Sequence, residues 1–401
     1  MSINKKRNLW IIIGITILYS IGMTIVLPLF PFLLGEYVES KNIAVVMGAL
    51  VAVFAIAQFF AAPIFGALSD RFGRKPVLLF SLLGSAVGFV LLGIGGALWV
   101  LFLGRIIDGL TAGDQGSLFA YVTDSTEPHE RGKWFGYLGG AIGIGFMIGP
   151  AIGGILGSIS ITLPFFATAG ITVLSMIIIS VFLKESLLPE KRAKNLTVHS
   201  FNTFLHFKEV FSMKDAQSLL IMGAFFYVGL NIWQFNASIF FKDVFTWGPS
   251  FIGGVFVLVG ICDVLSRVIV LPLLLKIWSE RKIGIVGLCG LIIGLGLIFL
   301  SAFLPSLFII IAAIAFIVLG EGLFDPSYNA RLSLSVSEAK QGLLQGTNQS
   351  LQALYHVIVP LGAAAIYTYS HSTVFGLASL FMIIGLILFI KLKAAPVVAT
   401  S

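Results

Sequence analysis

The sequence predicts an all-α polytopic membrane protein: twelve transmembrane helices arranged as two pseudo-symmetric six-helix bundles. Three observations carry that reading. Of the 401 residues, 58% are hydrophobic and only 11% charged, with a mean hydropathy of +1.03, whereas soluble domains carry about 25% charged residues. The apolar residues fall into runs long enough to cross a bilayer, which takes about 20 residues of helix. The two halves also share a displaced pattern of Gly and Pro. Such a composition excludes a water-soluble core, a disordered tail and a secreted disulfide scaffold. Both cysteines, Cys262 and Cys289, fall inside apolar stretches, so no disulfide is expected.

The twelve runs lie approximately at 9–35, 43–67, 77–96, 98–121, 134–158, 162–184, 217–241, 250–275, 283–303, 306–329, 342–369 and 372–391. With a cytoplasmic N-terminus, nearly all of the 25 Lys and Arg fall in the termini and in loops on that same side. Lys41 and Lys242 lie outside, and Arg105 and Arg267 lie within spans. This positive-inside bias places both termini in the cytoplasm. It also reads the net charge of +7 as topology rather than as a nucleic-acid footprint. Residues 1–8 look like the charged start of a signal peptide. The apolar run that follows is longer than the usual 7–15 residues or so and lacks a small-residue cleavage site, so it reads as the first span.

Residues 185–216 form the one sizeable soluble segment. They divide the chain into an N-terminal bundle (1–184), a cytoplasmic linker and a C-terminal bundle (217–401). Within the linker, 203–211 reads as plain linker or as a short surface helix. An internal repeat supports the division. Gly132, Gly136 and Pro150 recur as Gly342, Gly346 and Pro360, Pro63 as Pro272, and Leu103–Gly104 as Leu319–Gly320, all displaced by roughly 210 positions. Six-span halves related in this way are a transporter architecture, with the solute site near the midplane.

Three motifs stand out: GALSDRFGRKPVL (66–78), LGRIIDGLTAG (103–113) and GFMIGPAIGG (145–154). In the first, Gly66 and Gly73 permit a tight turn and close helix approach. Asp70 is placed to meet a helix N-terminus or an arginine, and Arg71, Arg74 and Lys75 hold the loop in the cytosol. In the third, Gly145, Gly149 and Gly153, continued by Gly157, form a smooth stripe of the kind on which membrane helices pack, and Pro150 removes a backbone hydrogen bond.

The 66–78 loop resembles the signature loop of the major facilitator superfamily. The other two motifs resemble that family's fourth-span and antiporter motifs. The likeness is closest to drug/proton antiporters of the tetracycline-exporter type, and it extends through residues 341–361. The resemblance implies that Gly66, Asp70, Arg71, Gly73 and Arg74 latch the two halves on the cytoplasmic side. The competing reading, that the bases only set topology, explains neither the glycines nor the acid. The resemblance likewise makes Gly145, Gly149, Pro150, Gly153 and Gly154 an antiporter motif, whereas chemically the stripe provides only packing.

Charge inside the membrane costs several kcal/mol, so it marks a cavity or a partner. Here the charged residues are Arg105, Asp108, Asp114, Asp263, Arg267, Glu321 and Asp325. On a continuous helix, Arg105, Asp108, Thr111 and Gln115 share a wedge of about 120°. Glu321, Asp325 and Tyr328 share a face of span ten. Tyr227, Asn231, Gln234 and Ser238 share one of span seven, and Asn348, Gln352, Tyr355 and His356 lie in span eleven. These stripes predict a cavity for a small-molecule solute. Glu321 and Asp325, one turn apart, repel each other, so one of them favours holding a proton. They are the first candidates for proton coupling. Asp108, paired with Arg105, is the second. Asp263 and Arg267 read either as a neutralised structural pair or as part of the coupling. His356 titrates near neutrality, with a simple hydrogen-bonding role as the alternative.

The resemblance also implies acids in spans one and three. The matching positions hold Tyr19 or Ser20, and Gly88, and span nine carries no acid, which argues against tetracycline as the solute. No phosphate-binding Gly-x-x-x-x-Gly-Lys-Ser/Thr loop is present, and no protease constellation or metal-ligand set is found. The expectation is therefore not an enzyme but a monomeric inner-membrane antiporter. It exports a small amphipathic compound against protons and needs no cofactor beyond the proton gradient. A proton-coupled importer on the same scaffold is the alternative.

Overall fold

A computed structural model describes residues 3–127, 130–192, 211, 213–336 and 341–392. Among them every regular element is helical. Among the described residues eleven helices are long and apolar enough to cross a membrane, and they present large apolar side chains outward, as at Phe60, Ile94, Ile159, Val181 and Phe308. That pattern is expected of helices whose solvent is lipid.

The twelfth predicted span, the fourth in order, is broken. It runs as Leu98–Leu110 and Asp114–Ser125, interrupted at Thr111–Gly113. The local cause is legible. Thr111 turns its hydroxyl back onto the Ile107 carbonyl at 2.9 Å and the Asp108 carbonyl at 3.2 Å, the kind of bond that competes with helix propagation. Glycines at 109 and 113 weaken the helix on either side. The even wedge expected from 105 to 115 therefore holds only for the first half. Gln115 lies in the first turn of the second helix, and its side chain lies outside the described residues, as does that of Asp114.

The chain divides into two compact units. Unit one comprises residues 1–201 with 246–260, and unit two comprises 202–245 with 261–401. The expected linker helix at 203–211 falls almost wholly outside the described residues. Residues 246–260 cluster with unit one because two glycine-rich surfaces meet there. A Cβ added to Gly253 would touch the Pro150 carbonyl at 2.5 Å and Gly154 Cα at 2.9 Å, and Ser250 Oγ donates to the Gly154 carbonyl at 3.1 Å.

In unit one the core is built by Leu9, Ile12, Leu78, Leu82, Tyr121, Val122, Leu138 and Ile179. Span five (Arg131–Ile159) lies against span one (Ile3–Ile25) along its glycines. A Cβ on Gly145 would strike Ser20, one on Gly149 would strike Thr24, and one on Gly153 would strike the Ile25 carbonyl. Thr24 Oγ1 crosses this seam to the Gly145 carbonyl at 2.9 Å. Ser20 and Thr24, two of the few polar residues of span one, are thus spent on this seam. In unit two, Phe226, Phe324 and Phe389 interlock, with ring centroids 4.6 and 5.5 Å apart.

The repeat has a structural counterpart inside each unit. In unit one, Gly104 of span four rests on Gly88 of span three (Arg74–Ile94): its added Cβ would lie 2.7 Å from the Gly88 carbonyl. In unit two, Gly320 of span ten (Leu307–Leu334) rests on Gly287 of span nine (Glu280–Ser301), at 2.5 Å by the same measure.

Candidate functional site

Unit two contains a cavity of about 380 Å³ lined by Tyr227, Leu230, Asn231, Gln234, Glu321, Asp325, Asn329, Asn348, Gln352 and His356. It is large enough for a small organic molecule. Three helices supply the walls: Lys214–Phe245, Leu307–Leu334 and Gln341–Tyr369. Of the sequence candidates, Tyr227, Asn231, Gln234, Asn348, Gln352, His356, Glu321 and Asp325 come together here. Tyr328 is buried beside the cavity, with its hydroxyl 3.2 Å from Asn348 Oδ1. Tyr355 is half-buried and does not line the cavity.

Local sequence explains how span ten presents its acids. Glu321 stands between Gly320 and Gly322, and Asp325 is followed by Pro326 inside the helix. Pro326 cannot donate to the carbonyl one turn back. Separately, the Asn329 side chain donates to the Asp325 carbonyl and to Asp325 Oδ1, each at 3.0 Å. Tyr227 O–H donates to the same Oδ1 at 3.0 Å. Asn231 is fixed by donating to the Tyr227 carbonyl at 2.8 Å.

A single guanidinium faces the acids. Arg267 Nε lies 2.7 Å from Asp263 Oδ1, while its other nitrogens stand 3.4 Å from Asp325 Oδ2 and 3.8 Å from Glu321 Oε1. Arg267 sits in a π-helical turn, Leu265–Val270, within span eight. Such turns carry an extra residue and recur at functional sites. Glu321 accepts no hydrogen bond among the described residues, so of the two cavity acids it is the less satisfied. The sequence paired Asp263 with Arg267 but gave no sign that Arg267 also addresses span ten. Asn329 was missed as well, although its spacing from Asp325 was the available signal.

Unit one holds a second buried ion pair. Arg105 lies 3.0 Å from Asp108 Oδ2, and Ser85 of span three donates to Asp108 Oδ1 at 2.7 Å. The guanidinium carbon lies 4.0 Å from the centre of the Phe54 ring, a cation–π contact. Among the described residues its Nε finds no acceptor. Gly88, where an acid was expected, is in contact with this pair: an added Cβ would lie 2.9 Å from Asp108 Cβ. The carboxylate reaches the face of span three from span four.

The 66–78 segment, expected as a loop, is helical except at Gly73: residues 66–72 end span two (Ser40–Phe72) and residues 74–78 begin span three, and charge anchors this junction. Arg74 bridges Asp70 at 2.7 Å and Asp124 at 2.8 Å, and its Nη1 donates to Ser69 at 3.1 Å. Gly73 has φ +106°, and any side chain there would strike Glu185. Glu185, at the end of span six, accepts from the backbone N–H groups of Arg74 and Lys75 at 2.9 and 3.0 Å, capping span three from another segment. Arg71 lies over the Phe72 ring, its guanidinium carbon 5.4 Å from the ring centre. Gly66 faces open space. Neither Asp124 nor Glu185 was legible beforehand, because their partners are about 50 and 110 positions away.

Comparison with known proteins agrees with this architecture. The Major Facilitator Superfamily profile matches residues 12–360. The chain is 34% identical over 368 residues to the class H tetracycline resistance protein of Pasteurella multocida, covering 91% of this chain and 90% of the relative. It is 34% identical over 378 residues to the class C protein of Escherichia coli, covering 93% of each. It is 29% identical over 396 residues to multidrug resistance protein 2 of Bacillus subtilis, covering 96% of this chain and 95% of the relative. Among solved structures, a D-xylose–proton symporter superposes with a TM-score of 0.78 at 15% identity, covering 96% of this chain and 97% of the other, a likeness of fold alone. The chain belongs to the major facilitator superfamily. It is a multi-pass membrane transporter, not an enzyme.

Proposed function

We propose that this protein is a proton-driven exporter, moving a small amphipathic compound out across the cytoplasmic membrane in exchange for protons by alternating access. The observation that carries this reading is the unit-two cavity, in which two carboxylates one turn apart share a single distant guanidinium. Two such acids in a low-dielectric setting cannot both stay charged without cost, and the arrangement suits a group that exchanges a proton for a solute. Glu321, with no hydrogen-bond donor among the described residues and its cation 3.8 Å away, is the proton carrier in this reading. Asp325, held by Tyr227 and Asn329, positions it. Asp108 is the secondary carrier. The proton gradient supplies the energy with no bound cofactor. The protein works as a monomer, with both termini in the cytoplasm.

Export is favoured over import because the full-length relatives are named for tetracycline and multidrug resistance. Tetracycline is the first solute to test. The replacement of the span-one and span-three acids by Tyr19 or Ser20 and by Gly88 predicts that another amphipathic compound is carried better. The experiment is solute accumulation in inverted membrane vesicles with an imposed pH gradient. Uncoupler-sensitive accumulation supports the reading. Uncoupler-insensitive flux, or accumulation only in right-side-out vesicles, overturns it.

A further inference from the structure

The last turn of span eight, Leu271–Leu275, buries none of its residues. Leu273 and Leu275 are exposed, and the chain then carries Ile277, 70% exposed, and Trp278 into the turn before span nine. Span nine adds an exposed stripe of its own. Lys282, Val286 and Ile293 are exposed and recur at helical spacing on one face. Between the end of span eight and this stripe lies a groove of about 200 Å³, lined by Trp278, Lys282, Ile285 and Val286. All of these residues belong to unit two, and none takes part in the cavity around Glu321 and Asp325.

The groove is smaller than the pockets of about 300–1,000 Å³ that enclose a drug-sized ligand. It suits one end of a longer molecule whose remainder lies along Val286 and Ile293 in the bilayer. Trp278 stands at its rim, where an indole sets its ring toward acyl chains and its N–H toward headgroups. The charged group on the groove wall is Lys282, which makes no hydrogen bond or ion pair among the described residues. Charge then selects the headgroup. Spans eight, nine, ten and twelve carry Lys276, Arg281, Lys282, Arg331 and Lys391 at this end, and Glu280 is the one acid among the described residues there. Arg281 donates to the Ile390 carbonyl at 2.6 Å, and the Arg331 guanidinium carbon lies 4.8 Å from the centre of the Phe389 ring. Both are placed by packing while their charges remain. Such a field repels the ammonium of a zwitterionic headgroup and attracts a headgroup of net negative charge.

We propose that this groove is a seat for an anionic phospholipid, with the phosphodiester on Lys282, the glycerol beside Trp278 and one acyl chain along Val286 and Ile293. The lipid covers the apolar end of span eight that the protein itself leaves bare. The seat does not depend on what the transporter carries, nor on the direction in which it carries it.

The test is native mass spectrometry of the full-length protein in detergent, titrated with dioleoyl-phosphatidylglycerol and, for comparison, with zwitterionic dioleoyl-phosphatidylcholine. The first phosphatidylglycerol is expected to bind at least about tenfold more tightly than the first phosphatidylcholine. Equal affinities mean bulk solvation by lipid and overturn the proposal. Lys282→Gln is expected to weaken phosphatidylglycerol about fivefold and to leave phosphatidylcholine within about twofold. Lys276→Gln removes the same charge from outside the groove and is expected to cost less. Lys41→Gln, at the opposite end of unit one, changes nothing beyond about twofold. Equal losses for Lys276→Gln and Lys282→Gln indicate a diffuse basic surface and overturn the seat. Val286→Phe fills the groove and keeps every charge, so it is expected to weaken phosphatidylglycerol at least about fivefold; unchanged binding places the lipid elsewhere and overturns the proposal. If Val286→Phe does not fold, the comparison of Lys276→Gln with Lys282→Gln decides by itself. Glycerol 3-phosphate, the headgroup without chains, is expected not to displace the bound lipid. Displacement makes the groove a site for a soluble phosphate and overturns the lipid assignment. Bound phosphatidylglycerol also raises the thermal midpoint of the parent protein, and Lys282→Gln reduces that rise; a rise undiminished in Lys282→Gln counts against the seat.

Discussion

Glu321 and Asp325 have the same chemistry and sit one turn apart, yet their surroundings assign them different work. Asp325 has two neutral donors and the nearer guanidinium nitrogen, whereas among the described residues Glu321 faces only the cation 3.8 Å away. Glu321→Gln is therefore expected to reduce pH-driven accumulation at least about tenfold while leaving solute counterflow at zero gradient intact. A group that only carries protons is dispensable for exchange. Asp325→Asn is expected to impair both, because Tyr227 and Asn329 lose the acceptor they share. Counterflow and gradient-driven uptake in the same vesicles separate the two variants. At this scale the sequence was informative wherever the partner lay within a turn, as for Arg105 with Asp108 and for Asp263 with Arg267. It was silent on Ser85 with Asp108 and on Glu185 with the backbone of Arg74, because only the packed fold brings those residues together.

The seam between spans one and five shows what the glycines contribute. Gly153 lies against the backbone of Ile25, which cannot swing aside. Gly153→Ala must push the helices apart, at a cost of about 1–3 kcal/mol. Gly139, on the same helix with open space around it, provides the control: Gly139→Ala is expected to be neutral or slightly stabilising through helix propensity. Thermal unfolding in detergent, followed with a thiol-reactive dye at Cys262 and Cys289, distinguishes the two. The junction at Gly73 makes a parallel case. Glu185→Ala leaves the Arg74 and Lys75 N–H groups without their acceptor and is expected to cost about 1–2 kcal/mol, as the loss of a helix cap does. Glu185→Gln, which keeps a carbonyl acceptor, recovers part of that in the same assay. The glycine stripe was readable from its spacing of four. The cap was not, since a lone glutamate after an apolar run carries no periodic signal.

At the level of the whole chain, the positive-inside bias makes a prediction independent of any site. A green fluorescent protein fused to either terminus should fluoresce, and alkaline phosphatase fused at either end should be inactive. The reverse pattern at one end would invert half of the assigned topology. The helical class, the number of segments and the two-part repeat were legible because lipid imposes long apolar stretches, and because Gly104 and Gly320 occupy matching crossings. The contact of residues 246–260 with span five was not, since it depends on the meeting of Gly154 with Gly253.

The interruption at Thr111–Gly113 carries a consequence for parity. Neither Leu98–Leu110 nor Asp114–Ser125 has the length of an independent crossing, so a count made by apolar length alone stops at eleven. An odd number would send the two ends of the chain to opposite faces and turn the basic loops of the second half outward. That would reverse a bias that otherwise runs from Lys5 to Lys393 with only Lys41 and Lys242 outside. Two half-length helices acting as one stroke restore an even number. The stretch of chain least able to enter a bilayer by itself is therefore the one on which the orientation of everything after it depends.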